Sequence, residues 1–251
     1  MKSIRIAAFA GAIALTTLVV GVLASPVLLF GERAARKAVK IWAHGVLFFL
    51  RIFAGLRHRV EGAENIPHGA AIVASNHQSM WETIALVALL DEPIMVFKQE
   101  LKRVPLYGAW AVKTGAIPVD REAGAKAIRA LTKAAREKLD EGCQVILFPE
   151  GTRAAFGERI PLQPGVASIY LSGGAPCTPV VHDSGRFWSL PGGVTAQKTP
   201  GVITIRFLPP IAPGLDRKAF MRELDALLHG DAGGVPDEAE ATDAGMKSVT
   251  A

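Results

Sequence analysis

The sequence predicts an α/β fold, a mixed sheet flanked by helices, with an N-terminal membrane-associated helical segment. Short apolar runs of four to six residues recur between residues 70 and 207 and end at Gly, Pro or polar residues, as buried strands do. Stretches with helical spacing of apolar residues lie between several of these runs. The first 60 residues differ from the rest because they combine long apolar stretches with basic residues.

The N-terminal segment contains 25 consecutive uncharged residues, Ile6 to Phe30, which are enough to cross a hydrocarbon core of about 30 Å. The alternative is a secretory signal peptide cleaved after Ala24, but apolar sequence continues beyond that site, which favours an anchor. A second apolar run, Ile41 to Phe53, is too short to span and predicts an interfacial helix. It could equally be a helix packed on the domain that follows.

Basic residues cluster between these two runs, at Arg33, Arg36, Lys37 and Lys40. Residues 1–60 hold nine Lys or Arg against one acid, whereas the remainder is slightly acidic. By the positive-inside rule this cluster predicts a cell (inner) membrane location with the domain that follows it on the cytoplasmic side. Because no basic stripe interleaved with aromatic residues follows, the sequence predicts no nucleic-acid binding.

Six strands and four helices are predicted after the N-terminal segment. The strands are Ala70–Ser75, Ile94–Lys98, Ala116–Val119, Gln144–Phe148, Cys177–Val181 and Val202–Phe207; the helices are Thr83–Leu90, one with apolar residues Ile128, Leu131, Ala135 and Leu139, Gly165–Ser172 and Arg217–Leu228. The two cysteines lie in apolar runs without metal-ligand spacing, so we expect reduced core thiols and no metal site. The predicted regions are a membrane anchor with an interfacial helix (1–56), an α/β domain (57–228) and a disordered acidic tail (229–251).

The first candidate motif follows the strand that ends at Ser75 and reads Asn-His-Gln-Ser-Met-Trp-Glu over residues 76–82. If His77 lies in the loop and Glu82 in the first helical turn, the carboxylate can bind one ring nitrogen and leave the other as a general base. Taken alone, a His near an acid is more often a surface pair or a satisfied, partly buried histidine.

The second candidate motif reads Phe-Pro-Glu-Gly-Thr-Arg over residues 148–153, again directly after an apolar run. Gly151 allows close approach to the backbone, and the planar fork of Arg153 suits a phosphate. The alternative interpretation is a turn at a strand end with a solvated arginine.

The two motifs together, in this order, resemble those of the 1-acylglycerol-3-phosphate O-acyltransferase (lysophosphatidic acid acyltransferase) family, which carries Asn-His-x-Ser-x-x-Asp and Phe-Pro-Glu-Gly-Thr-Arg. Lys98–Leu101 and Gly115–Arg121 resemble the intermediate blocks of the family, and Pro176–Val181 resembles its last block. The resemblance covers residues 60 to 210. It implies a glycerolipid acyltransferase-like fold.

The resemblance also implies roles for individual residues. His77 is the implied base and Glu82 its orienting carboxylate, with direct transfer and no acyl-enzyme, so that Ser79 is interpreted as a loop or cap hydroxyl. The expected phosphate contacts are Gly151, Thr152 and Arg153, with Lys98 and Arg121 as further candidates. Asn76 and Glu150 are expected to support the loops.

The implied reaction moves a fatty acyl group from an acyl thioester, acyl-CoA or acyl carrier protein, to lysophosphatidic acid, giving phosphatidic acid in phospholipid biosynthesis; no cofactor is expected. Alternatives are another acceptor (glycerol 3-phosphate, another lysophospholipid or a lyso-aminolipid), a thioester or ester hydrolase, or a non-catalytic membrane lipid-binding protein. Two departures from the family pattern bear on this choice. Glu82 stands where most members have Asp, and Leu162–Gly165 lacks the lysine of the usual Phe-Lys-x-Gly segment.

Overall fold

The computed structural model describes residues 2–188 and 196–230, so the predicted acidic tail lies outside the described residues from residue 231 onward. The described residues form one seven-stranded sheet between two layers of helices. The strands are β1 (Leu56–Glu61), β2 (Ala71–Ser75), β3 (Pro93–Lys98), β4 (Ile117–Val119), β5 (Gln144–Leu147), β6 (Cys177–His182) and β7 (Gly201–Phe207). The α-helices are α1 (Lys2–Leu23), α2 (Glu32–Phe49), α3 (Trp81–Leu89), α4 (Tyr107–Lys113), α5 (Gly124–Asp140), α6 (Gly165–Gly173) and α7 (Arg217–His229).

The sheet is mixed, with the strand order β1-β7-β6-β2-β5-β3-β4. The five strands from β6 to β4 are parallel to one another, while β7 runs antiparallel to β6 and parallel to β1. The carboxyl ends of the five parallel strands therefore meet at one edge of the sheet. The predicted mixed sheet flanked by helices is confirmed.

The two faces of the sheet bury different sets of side chains because successive residues of a strand point to opposite faces. In β2, Ile72 and Ala74 pack in the cluster that includes residues of α5, α6 and α7. Val73, between them, packs in the cluster that includes residues of α1, α2 and α3. Because β2 is covered on both faces, all five of its residues are buried, as expected for a central parallel strand.

The N-terminal segment differs from the predicted continuous span. Helix α1 ends at Leu23, shortly before Pro26, and a 3₁₀ turn, Ser25–Leu29, follows; Pro26 has no backbone N–H with which to continue the α-helix. Phe9 and Ile13 of α1 are buried in the core cluster on its side of the sheet. Within the described part of the chain, no helix combines the length and the apolar character needed to cross a membrane.

The basic cluster lies within α2. The Arg36 side chain is buried, and its Nε donates to Glu92 Oε2 at 2.6 Å while Nη1 donates to Glu32 Oε2 at 3.2 Å. A buried guanidinium needs such carboxylate partners. Arg36 therefore joins α2 to the loop before β3, a structural role that the clustered charges did not predict.

Candidate active site

Most of the predicted site residues lie where the parallel strands end. His77 follows β2, Glu150 to Arg153 follow β5, Lys98 ends β3 and Arg121 follows β4. Open parallel sheets bind their ligands at this edge, beyond the carboxyl ends of the strands. The fold therefore brings both candidate motifs to the edge where a site is expected.

His77 and Glu82 are in direct contact. His77 lies in the loop after β2 and Glu82 in the first turn of α3, as the spacing requires, and His77 Nδ1 lies 2.7 Å from Glu82 Oε1. The imidazole stacks on Phe148, with ring centroids 4.1 Å apart. Because Nδ1 donates to the carboxylate, the ring has its lone pair on Nε2, which can accept a proton from a substrate.

The Glu82 carboxylate is fully buried and accepts five hydrogen bonds. The donors to Oε1 are His77 Nδ1 and the backbone N–H groups of Gln78 and Ser79; the donors to Oε2 are the hydroxyls of Ser79 and Ser184, all at 2.7–2.9 Å. Burial by itself raises the pKa of Glu82, but the imidazoles of His182 and His77 and the Ser79 hydroxyl outweigh it and lower the pKa to about 2. The carboxylate is therefore ionised at neutral pH.

His182, at the end of β6, supports this loop through both of its ring nitrogens. Its Nε2 lies 2.9 Å from the carbonyl oxygen of Asn76, and its Nδ1 accepts from the backbone N–H of Ser184 at 3.3 Å. Burial lowers the pKa of His182. The Asn76 side chain in turn bonds both backbone groups of His182, at 3.0 and 3.1 Å. Asn76 thus joins the ends of β2 and β6, in keeping with its predicted supporting position.

The arginine loop is attached directly to the backbone of His77. Glu150 Oε2 accepts the His77 backbone N–H at 2.9 Å, and the backbone N–H of Ala154 donates to the His77 carbonyl at 2.8 Å. Gly151 has φ = +73°, a left-handed conformation that other residues rarely adopt. Glu150 therefore holds the loop by a contact to the backbone of His77.

The predicted phosphate contacts are arranged around this loop. Arg153 Nε is buried and has no hydrogen-bond partner among the described residues. Arg121 donates from its guanidinium to the Gly151 carbonyl. Thr152 is exposed, and Lys98 pairs with Glu100 at 3.6 Å on the surface. Arg153 is the cation whose donor most clearly lacks a protein acceptor, so it has free hydrogen-bonding capacity for an anion.

Sequence reasoning missed three side chains that belong to the site: Ser184, His182 and His229. Ser184 donates to Glu82, His182 orders the loop, and His229 contacts Glu150. All three lie far along the chain from the motifs they contact. The polar run His182-Asp183-Ser184, directly after a predicted strand, was the one available indication, and nothing in the sequence around His229 signals its contact.

The described residues contain no group of three His, Cys, Asp or Glu that could hold a metal ion. Both cysteines are free and buried. Burial raises the pKa of the Cys177 thiol, which keeps it protonated and unreactive.

The fold and this site together place the chain among the acyltransferases, and the acyltransferase family model matches residues 57–183. A 1-acyl-sn-glycerol-3-phosphate acyltransferase of Pseudomonas aeruginosa is 35% identical over 182 residues, which cover 72% of this chain and 69% of that protein. The chain belongs to the 1-acylglycerol-3-phosphate O-acyltransferase family, as its ordered motifs predicted.

Two further comparisons agree with this assignment. A 1-acyl-sn-glycerol-3-phosphate acyltransferase of Helicobacter pylori is 41% identical over 103 residues, covering 40% of this chain and 43% of that protein. The crystal structure of a 1-acyl-sn-glycerophosphate acyltransferase from Thermotoga maritima superimposes with a TM-score of 0.73, covering 91% of this chain and 95% of that chain at 23% identity. At that identity the superposition establishes the fold.

Proposed function

We propose that the protein transfers a fatty acyl group from an acyl thioester to the free hydroxyl of lysophosphatidic acid, giving phosphatidic acid. The observation that carries this proposal is the 2.7 Å contact between His77 Nδ1 and a fully buried Glu82 carboxylate, next to the arginine loop. The names of the relatives from P. aeruginosa and H. pylori support lysophosphatidic acid as the acceptor.

The imidazole acts as the general base in this reaction. His77 Nε2 removes the proton of the acceptor hydroxyl while the hydroxyl oxygen forms a bond to the thioester carbonyl carbon. The C–S bond then breaks, and the leaving thiolate takes the proton from the imidazolium. Glu82 remains ionised throughout and stabilises the imidazolium between the two proton transfers.

Ser79 has a structural role in this mechanism rather than that of a nucleophile. Its hydroxyl donates to Glu82 Oε2 at 2.7 Å and accepts the backbone N–H of Trp81 at 2.9 Å, at the start of α3. A Ser-His-Glu triad needs the serine hydroxyl on the imidazole, with the carboxylate on the other ring nitrogen. The Ser79 hydroxyl bonds the carboxylate instead, which supports direct transfer.

The acceptor's phosphate binds at the arginine loop. The unpaired Nε of Arg153 offers a donor to a phosphate, and Gly151, which has no side chain, lets the phosphate approach the loop closely. Arg121 holds the carbonyl of Gly151 and adds positive charge beside it. Thr152 and Lys98 lie at the same edge of the sheet and complete the proposed set of contacts.

The decisive experiment is an acyl-transfer assay on the full chain in detergent or bilayers. The acceptors offered are lysophosphatidic acid, glycerol 3-phosphate and a lysophospholipid without a terminal phosphate, each with acyl-CoA or acyl carrier protein as donor. Formation of phosphatidic acid as the dominant product supports the proposal. Release of free fatty acid without acceptor would identify a hydrolase, and preference for another acceptor would overturn the proposed substrate.

We further propose that the protein acts at the surface of the cell membrane, with the catalytic domain on the cytoplasmic side. Support comes from large apolar side chains that are solvent-exposed on the N-terminal helices: Leu15, Leu18, Val22 and Leu23 of α1, Leu29 and Phe30 after it, and Ile41 and Phe48 of α2. Clustered exposed apolar side chains beside basic residues are typical of an interfacial surface.

Vesicle flotation of the double variant Leu18→Asp/Val22→Asp tests this surface. We expect it to lose vesicle binding, while the control Leu171→Asp, which changes another exposed leucine, on α6, floats like the unmodified protein. Equal flotation of all three proteins would contradict the proposed surface. A mature protein that begins at Ser25 by mass spectrometry would contradict the cytoplasmic placement.

A further inference from the structure

His229, the last residue of α7, lies between two carboxylates. Its Nε2 is 3.2 Å from Glu150 Oε1, and its Nδ1 is 3.0 Å from Asp225 Oδ1, one helical turn earlier. The side chains of His229 and Glu150 are only 7% and 2% exposed, so water screens this contact little. The residue lies beyond residues 57–183, which the family model matches.

The geometry defines the protonation state of His229. A neutral imidazole has one N–H donor, so one of the two carboxylates would face a lone pair; only the imidazolium can donate to both. The hydrogen bond to Glu150 raises the pKa of His229, burial lowers it, and the hydrogen bond to Asp225 adds to the net rise. A cation is also favoured at the carboxyl end of a helix.

Glu150 links His229 to the proposed base. While Oε1 of Glu150 meets His229, Oε2 accepts the backbone N–H of His77 at 2.9 Å. A continuous chain of charged hydrogen bonds therefore runs from the end of α7 through the arginine loop to the backbone of His77. Because small displacements of a catalytic group cost large factors in rate, this chain can control where the imidazole lies.

We propose that His229 is a positioning residue that, as an imidazolium, fixes Glu150 and through it the backbone of His77. This inference rests on the proposed function, in which His77 is the base. It assigns a task to the C-terminal helix α7, which packs against α6 and β6.

Among the described residues, the charged groups that contact His229 are Glu150 and Asp225. Asp225 is paired with Arg159 on its far side, and Glu150 is the carboxylate from the loop after β5. From α6 comes Tyr170, whose hydroxyl donates to the Ala212 carbonyl. Strand β6, which packs against α7, carries Cys177, kept protonated by burial, and His182, whose pKa burial lowers.

This arrangement makes positioning depend on pH with a definite sign. The pKa of His229 is raised above its ordinary value of 6.5, so the contact is intact below that value and is lost as pH rises through the raised one. Turnover should therefore fall on the alkaline side as His229 loses its proton.

The contact itself is tested first, without any substrate, by NMR titration of histidine side chains in the full chain. We expect His229 to titrate above its ordinary range, and Glu150→Gln to lower its pKa. A His229 pKa at or below the ordinary range, or one that Glu150→Gln leaves unchanged, would overturn the proposal.

The kinetic test compares His229→Gln, Glu150→Gln and the double variant in the acyl-transfer assay. We expect His229→Gln to lower kcat by about ten- to hundredfold at neutral pH, the effect of one lost charged hydrogen bond, with both KM values retained. The double variant should be no worse than Glu150→Gln, and the difference between His229→Gln and the unmodified protein should vanish at alkaline pH. The control His68→Gln changes a histidine that pairs with Asp91 at 2.9 Å on the surface and should leave kcat unchanged.

The outcomes separate this inference from the proposed function. An unchanged kcat in His229→Gln, or a double variant whose losses multiply, overturns the positioning role even if the NMR contact is present. If His77→Ala retains turnover, the proposed function itself fails, whatever the NMR titration shows.

Discussion

Replacing Glu82 by Gln tests how the buried carboxylate supports the base. Three N–H donors point at Oε1 and two hydroxyls at Oε2. The amide NH₂ of glutamine cannot replace Oε1, because the three N–H groups there can only donate. It can replace Oε2, because the two hydroxyls there can rotate and accept a hydrogen bond from it. The loop geometry should therefore survive, and the negative charge beside His77 should be lost.

The magnitude follows from that lost charge. A hydrogen bond to a charged group contributes about 1.5–3 kcal/mol, so its loss to the imidazolium alone slows the reaction by about 10- to 150-fold. Removing a charge that is fully buried slows the reaction further. The largest possible loss is the whole rate enhancement that general-base catalysis supplies. We therefore expect kcat to fall by about 10² to 10⁴, with KM for either substrate little changed.

The assay is steady-state acyl transfer with purified Glu82→Gln in bilayers, checked for folding by circular dichroism. Glu61→Gln is the matched control, because Glu61 pairs with Arg206 on the edge strand β1 and takes no part in the site. A folded Glu82→Gln variant with kcat near that of the unmodified protein would refute the carboxylate's role in catalysis.

Three further predictions follow from the same contacts. Arg153→Lys should weaken acceptor binding or turnover by about 1.5–3 kcal/mol and leave the thioester titration unchanged, because an ammonium cannot bind a phosphate in bidentate fashion; a defect confined to the thioester titration would move Arg153 to the donor site. Glu82→Asp should be only partly impaired in the same assay, since the charge remains while the side chain is one methylene shorter; a loss equal to that of Glu82→Gln would contradict this. The lowered pKa of Glu82, about 2 against 4.5, stabilises the fold by about 3 kcal/mol above pH 4.5, and urea denaturation should show this being lost as pH falls toward 2, but not in Glu82→Gln.

The central strands were predictable because buried strands appear in the sequence as short apolar runs. All six predicted strands are present to within one residue at each end, and the loops after β2 and β5 contain the two motifs. Strand β1 was missed because its sequence, Leu-Arg-His-Arg-Val-Glu, has basic residues at an exposed edge of the sheet. Helix α4, Tyr107–Lys113, was missed because it is only seven residues long.

The direct contact of His77 with Glu82 could be predicted because both residues lie in one local segment, where helix geometry limits the distance between them. The contacts of Ser184 and His229 could not be predicted, because tertiary packing of β6 and α7 brings these residues to the site. Ser184 lies more than a hundred residues after the first motif, which it contacts. His229 lies far along the chain from the second motif, which it contacts. The burial of Arg36 was unpredictable for the same reason, because its partner Glu92 lies 56 residues away.

The measurement that tests the central claim most directly is the formation of phosphatidic acid by His77→Ala beside the control His68→Ala, a histidine paired with Asp91 on the surface. If His77 is the general base, His77→Ala should fold normally and lose about 10² to 10⁴ in kcat, while His68→Ala turns over like the unmodified protein. A folded His77→Ala variant that still forms phosphatidic acid at the rate of the control would contradict the proposed mechanism.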